Sequence, residues 1–146
     1  MKSLFANRKF LVVTLALFAY QPVTAACLCS YTPAGLVDVL DGGNIVFETA
    51  GKQKTVQLAG IITPRLKPNP QSKKPWCEAE GTKAMQVKAY TVELLSKASQ
   101  ITIDEQQVDE TGEISAVVYI DNISLGQELL YKYLVIESDE TPDWCG

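Results

Sequence analysis

The sequence contains no histidine. Histidine is the usual general base of serine and cysteine hydrolases and the commonest side-chain ligand of zinc in proteins. Its absence excludes a histidine general base, a Ser-His or Cys-His nucleophile pair and a zinc site with histidine ligands. An enzyme built from this chain must therefore use carboxylates, lysine, tyrosine or a metal ion held by oxygen atoms.

An apolar run long enough to span a bilayer comfortably is also lacking near the start of the chain. The run at residues 10–20 follows Lys2, Arg8 and Lys9, and the small residues Val-Thr-Ala-Ala occupy positions 23–26. This order is typical of a secretory signal peptide, whereas a transmembrane helix needs about 20 apolar residues. We predict a signal peptide at residues 1–26 and one domain at residues 27–146, in the periplasm or secreted. A retained membrane anchor is the alternative.

Basic residues are scarce in the predicted domain. Three of the 13 lysines and arginines lie in residues 1–26, so residues 27–146 carry 10 basic and all 17 acidic residues, a formal net charge of −7. Lysine and arginine supply most of the non-specific affinity of proteins for nucleic acids. The charge therefore disfavours a broad nucleic-acid surface and leaves a local basic patch open.

All four cysteines, Cys27, Cys29, Cys77 and Cys145, lie in the predicted domain. An even number of cysteines in an exported chain favours disulfide bonds over metal or redox chemistry. Because a bridge between Cys27 and Cys29 would close a small, strained ring, we predict that one of them pairs with Cys77 and the other with Cys145. The alternative is that Cys27 is a lipidated N-terminus.

The spacing of apolar residues predicts a fold of the α+β class, mainly β. Alternation over residues 37–62 indicates strands joined by turns at Gly42-Gly43 and Ala50-Gly51. Residues 78–98 have helical periodicity, with Glu80 among the residues on the outer faces. Strands are predicted at residues 100–104 and 114–120 around a polar turn at 106–113, and Ser124 is a candidate N-cap for a helix over residues 125–133.

Two stretches of this region resemble the staphylococcal-nuclease-like, or thermonuclease, family. Asp41-Gly42-Gly43-Asn44 resembles that family's Asp-Gly-Asp-Thr, and residues 57–65, QLAGIITPR, resemble its Arg-Leu-Ala-Gly-Ile-Asp-Thr-Pro-Glu. The resemblance extends over residues 35–136 in the order of elements. It implies a five-stranded OB-fold barrel with one long helix and a short C-terminal helix.

The chemical residues of that family are replaced here. The resemblance implies a calcium ion on two aspartates, two arginines on the phosphate and a glutamate that acts on water. The residues at these positions are Gly43 and Ile62 for the aspartates, Gln57 and Glu113 for the arginines, and Arg65 for the glutamate. Asp41 and Thr63 are the remaining, weak metal candidates, because calcium requires six to eight oxygen ligands. We therefore expect no catalytic residue, no metal and no cofactor at the family positions.

The predicted function is a binding or structural module of the cell envelope, with an unknown protein or an anionic ligand as partner. The segment 65–76 is rich in proline and lysine, and we expect an exposed loop. Arg65, Lys67, Lys73 and Lys74 make it a candidate ligand loop, the alternative being a solvated connector.

An enzyme remains the alternative function. Carboxylates at Glu48, Asp109, Glu110 and Glu113 are candidates for a remodelled active site of a calcium-dependent nuclease or phosphodiesterase. The aromatic candidates for base stacking are Tyr119, Tyr131 and Tyr133. The alternation with Val118 and Ile120 favours an outward orientation of Tyr119, although aromatic residues on barrel strands are more often core.

Overall fold

The computed structural model describes residues 31–146, apart from the side chain of residue 105. The predicted signal peptide, Cys27 and Cys29 lie outside the described residues. In chain order the described elements are β1 Thr32–Pro33, β2 Gly35–Val39, β3 Asn44–Thr49, β4 Lys52–Leu58, β5 Ile61–Ile62, α1 Glu78–Lys97, β6 Ile101–Val108, β7 Ile114–Ile120, β8 Ile123–Ser124, α2 Leu125–Tyr131 and β9 Ile136–Glu137.

The fold is α+β with more strand than helix, so the predicted fold class is confirmed. Seven of the described strands form one mixed sheet in the order β1-β6-β7-β4-β3-β2, with β8 paired to β7. Strands β4 and β7 run parallel, and the neighbouring pairs β3–β4 and β6–β7 are antiparallel. Strands β5 and β9 form a separate antiparallel pair.

The two ends of the sheet order lie next to each other in the chain. Strand β1 pairs with β6, strand β2 pairs with β3, and only Ala34 separates β1 from β2. The N–H of Ala34 donates to the carbonyl of Ile101 at 3.0 Å. One continuous stretch of chain therefore forms both edges of the sheet.

Helix α1 covers the sheet at β2 and begins and ends almost where the periodicity predicts. Its buried residues Ala84, Val87, Thr91 and Leu95 recur at helical spacing and face the core. The hydroxyl of Thr91 donates to the carbonyl of Gly42, so the helix lies against the predicted Gly42-Gly43 turn. No helix within residues 31–146 is both long and apolar enough to cross a membrane.

Two boundary predictions are wrong. Strand β6 continues to Val108, where a polar turn is predicted, because Gln107 and Val108 pair with Ser115 and Ile114 after a shift in register. Helix α2 has the predicted N-cap, Ser124, but ends at Tyr131. The chain reverses there because Tyr133 adopts a left-handed conformation, with φ 55°.

The predicted disulfide pairing is also wrong. Cys77 bonds to Cys145, with 5.9 Å between their Cα atoms. The C-terminal tail returns to this point because β9 pairs with β5 and the N–H of Ser138 donates to the carbonyl of Gly60. The bridge therefore joins the start of α1 to the tail.

Candidate functional site

Most positions that the nuclease resemblance singles out lie around one surface cleft of about 370 Å³. The lining of this cleft includes Asp41, Asn44, Gln57, Ile62, Thr63 and Arg65. Gln57 also lines two adjoining clefts, and Glu113 lies in both of them. The structure thus brings together residues that are widely separated in the sequence.

The carboxylate of Asp41 is used by the turn that leads into β3. Its Oδ1 accepts hydrogen bonds from the N–H groups of Gly43 at 2.8 Å and Asn44 at 2.7 Å, and its Oδ2 accepts one from Asn44 Nδ2 at 2.9 Å. Such Asx-type bonds fix a turn locally. A metal ion at Asp41 would have to compete with them.

A side chain at Gly43 has no space. A Cβ atom there would lie 2.8 Å from Thr63 Oγ1 and 2.9 Å from Thr63 Cγ2. Because both branches of the threonine are this close, rotation of its side chain does not open the position. An aspartate at residue 43 would require Thr63 to move.

These residues do not fit a calcium ion. Ile62 offers no side-chain ligand, Gly43 has none, and Asp41 is bonded to its own turn. Calcium requires six to eight oxygen ligands, most of them carboxylate or carbonyl. Among the side chains that the structure describes, which exclude that of residue 105, no three acidic or cysteine side chains converge closely enough to hold a metal ion.

Arg65 forms a two-pronged ion pair with Glu80 at the start of α1. Arg65 Nε lies 2.8 Å from Glu80 Oε1, and Nη2 lies 2.9 Å from Oε2. The backbone N–H of Arg65 also donates to Oε1 at 2.9 Å. The hydrogen bonds from Arg65 hold the pKa of Glu80 below its ordinary value and raise the pKa of Arg65.

Glu80 is buried, so its predicted place on an outer face of the helix is wrong. Its side chain is 3% exposed, against 26% for Arg65. Glu80 lies four residues before the buried Ala84, so the helical spacing places it on the buried face, and Arg65 of the preceding loop supplies the partner for its charge. Glu80 is therefore a residue of the site region that sequence reasoning missed.

The loop after Arg65 is tied down at several points. The Arg65 guanidinium donates to the carbonyls of Lys74 at 3.2 Å and Pro75 at 2.9 Å, and Trp76 Nε1 donates to the carbonyl of Arg65 at 2.9 Å. Lys74 and Arg65 line a cleft of about 500 Å³ beside the C-terminal tail, whereas Lys67 and Lys73 are exposed and do not line it. In the candidate ligand loop, Arg65 is therefore bonded internally, and of the three lysines only Lys74 lines the cleft beside it.

A row of polar side chains, missed by sequence reasoning, crosses the outer face of four neighbouring strands. Gln57 on β4 pairs with Asn44 on β3 and with Ser115 on β7, and Ser115 pairs with Gln107 on β6. We call Asn44, Gln57, Ser115 and Gln107 the amide row. The alternation of Gln57 with buried Val56 and Leu58 indicates the outward face, but the sequence does not reveal the parallel register that aligns the row.

The amide row connects the clefts of this face. The cleft of about 370 Å³ contains Asn44 and Gln57, a second of about 400 Å³ contains the same two residues, and a third of about 140 Å³ contains Gln57, Gln107 and Ser115. Within residues 31–146, the side chains of Gln57, Ser115 and Gln107 make no intramolecular hydrogen bond. Their donors and acceptors therefore point to solvent or to a ligand.

Two of the four candidate catalytic carboxylates line the same cleft, the one of about 140 Å³. Asp109 and Glu113 both line it, and Glu48 and Glu110 do not. Asp109 Oδ1 accepts bonds from the Thr111 hydroxyl at 2.7 Å and from the Glu113 N–H at 2.9 Å, which lower the pKa of Asp109. A carboxylic acid that donates a proton near neutral pH needs a raised pKa, so Asp109 is tuned in the opposite direction.

The three candidate stacking tyrosines occupy different surroundings. Tyr119 is half-buried, and its ring meets that of Tyr31 edge to face, with 5.5 Å between centroids. Tyr131 and Tyr133 lie at the end of α2 and are 77% and 85% exposed. None of the three lines the clefts of the amide row.

No protein-family model matches the chain, and no curated protein matches it at a significant level.

Proposed function

We propose that the chain is an exported domain similar to thermonuclease that has lost the nuclease site and acts as a binding or structural module in the cell envelope or outside the cell. The observation that carries this proposal is the absence of ligands at the family's metal positions. Gly43 and Ile62 offer no side-chain ligand, and the Asp41 carboxylate is bonded to its own turn. Arg65 stands where the resemblance places the glutamate, and it is bonded to Glu80.

An OB-fold barrel is the architecture that we propose. The strand order β1-β6-β7-β4-β3-β2 with one parallel pair supports it, as does the single residue between the two edge strands. A stretch of chain that pairs at both edges of one sheet is the connectivity that barrel closure requires. Helix α1 follows β5 in the chain, in the order that the resemblance implies.

Export is supported by two independent features. The Cys77–Cys145 bond is of the kind that persists in oxidising compartments such as the periplasm or the extracellular space. Residues 1–26 have the composition of a secretory signal peptide.

The test of this proposal is calorimetry with calcium chloride on the processed, oxidised chain, together with cleavage of fluorogenic DNA and RNA by the same sample. We expect neither binding heat nor cleavage, because the residues of the cleft do not satisfy the coordination of calcium. Cleavage that copurifies with the chain and is abolished by a chelator would contradict the proposal.

The competing proposal is a phosphodiesterase with relocated carboxylates, favoured by the shared cleft of Asp109 and Glu113. Glu113→Ala should then abolish chelator-sensitive cleavage, whereas Glu48→Ala, a carboxylate outside that cleft, should leave it unchanged. Equal activity of the two variants would rule out this mechanism.

A further inference from the structure

The amide row lies on the face of the sheet and not at its edge. Its four residues occupy β3, β4, β7 and β6, which are consecutive in the strand order, so the row runs across the strands. The backbone groups beneath it are paired between neighbouring strands. A ligand here must therefore be recognised by side chains, and an extended peptide that adds to a strand edge is disfavoured.

The side chains of the amide row are uncharged, and they can both donate and accept hydrogen bonds. A glutamine amide carries two N–H donors and a carbonyl acceptor, and a serine hydroxyl carries both functions. Since Gln57, Ser115 and Gln107 have no intramolecular partner within residues 31–146, these groups are available together. Hydroxyl groups of a ligand, which also donate and accept, match this set.

The charges around the row disfavour a polyanion. Among the described side chains, the anionic residues that line its three clefts are Asp41, Asp109 and Glu113, and the cationic ones are Lys54 and Arg65. Arg65 is already paired with Glu80. Nucleic-acid binding depends on unpaired cations that neutralise phosphates, so this surface repels such a ligand more than it attracts it.

Resting on the proposed function of a binding domain without nuclease chemistry, we propose that the amide row binds a neutral oligosaccharide. The amides and the hydroxyl bond to the sugar hydroxyls, and the carboxylate of Glu113 accepts a further bond from one of them. Val108, which is 67% exposed and lines the cleft of Gln107, offers an apolar surface to the C–H face of a sugar ring.

The test uses side-chain amide resonances of the oxidised chain, followed by NMR during titration with cellohexaose, maltohexaose and chitohexaose. We expect the signals of Gln57 and Gln107 to shift and saturate with at least one of these sugars. Gln57→Leu keeps the size of the side chain at an exposed position and removes its hydrogen bonds, so it should weaken binding about tenfold. Gln86→Leu, the same change at an exposed residue of α1, should leave binding unchanged.

Ser115→Ala provides a second variant, which should also weaken binding and does not depend on how Gln57→Leu folds. The proposal is overturned if none of the three sugars shifts the two glutamine signals, or if both variants bind a sugar as well as the parent chain does. A twelve-nucleotide DNA is added in parallel. If DNA shifts the glutamine signals and is cleaved in a chelator-sensitive reaction, the proposed function is contradicted as well. If the sugars shift no signal and the DNA is not cleaved, this inference alone is contradicted.

Discussion

Glu80 shows how one buried side chain connects a loop to a helix. It accepts three hydrogen bonds from Arg65, and it is nearly inaccessible to solvent. Replacing it by glutamine removes the charge that compensates Arg65. We expect Glu80→Gln to lower the free energy of unfolding by about 2 kcal/mol, measured by urea denaturation at neutral pH.

The control for this variant is Glu93→Gln. Glu93 pairs with Lys97 on the exposed side of α1, with both side chains largely in solvent. Exposed pairs contribute little to stability, so we expect no measurable change. Equal effects of the two substitutions would show that the Arg65–Glu80 pair has no special role.

The same pair predicts a dependence of stability on pH. Because its folded-state pKa lies below the ordinary 4.5, Glu80 contributes its full stabilisation above that value and loses it as the pH falls through the folded pKa. The stability difference between the parent chain and Glu80→Gln should therefore shrink as the pH is lowered below 4.5. Asp109, whose pKa is also lowered, is present in both chains, so its contribution to stability cancels in the difference. A difference that stays constant to low pH would contradict the assignment.

The contact of Gly43 with Thr63 predicts a coupled pair of substitutions. Gly43 does not have a positive φ, so the obstacle to a larger residue is the contact itself. Gly43→Ala should destabilise the fold by about 1–3 kcal/mol, the usual cost of overpacking. In a Thr63→Ala background the same change should cost much less, which a double-mutant cycle by urea denaturation measures. Additive effects would refute the steric explanation.

At the scale of single elements, the end of α2 carries a local strain. Tyr133 occupies the left-handed position after the helix, its N–H donates to the carbonyl of Leu130, and the N–H of Leu134 donates to that of Leu129. Glycine is the usual residue in this motif because it has no Cβ. Since Tyr133 is 85% exposed, Tyr133→Gly should lose little burial and raise stability by about 0.5–1 kcal/mol in thermal unfolding.

In that experiment, Tyr133→Ala separates the effect of the aromatic ring from the effect of the left-handed backbone conformation. It removes the aromatic ring and retains the cost of the left-handed conformation, so its stability should match that of the parent chain. A gain with alanine as large as with glycine would mean that the ring, and not the backbone, is unfavourable.

Elements whose determinants are local could be predicted from the sequence. The apolar period of α1, the N-cap Ser124 and the turn at Ala50-Gly51, where both residues have positive φ, depend on residues within a few positions. The extension of β6 to Val108 could not be predicted in this way, because Gln107 and Val108 adopt a strand conformation only through their pairing with β7. The alignment of the amide row depends in the same way on the parallel register of β4 and β7.

At the scale of the whole molecule, the disulfide closes most of the fold into a loop. The 68-residue separation between Cys77 and Cys145 predicts that Cys145→Ser lowers the free energy of unfolding by about 2–4 kcal/mol. Cys145 is the better site for this test because Cys77 also caps α1 through its sulfur. Urea denaturation of both chains, with and without reductant, measures the effect, and the two chains should converge under reducing conditions.

Peptide mapping without reduction tests the pairing itself. The expected product joins the peptides of Cys77 and Cys145, and a peptide that joins Cys27 or Cys29 to either would contradict it. The sequence predicted a different pairing because the return of the tail depends on two residues of β5 and two of β9, whose pairing no local pattern reveals.

The first strand of the described fold pairs with a strand that lies far along the chain. Thr32 pairs with Ile103, Val56 pairs with Ile114, and Cys77 bonds to Cys145. A chain that emerges from its N-terminus therefore cannot complete the described sheet until β7 and β8 have appeared. Because such distant pairings form slowly, we expect the sheet to form late in folding and as one unit.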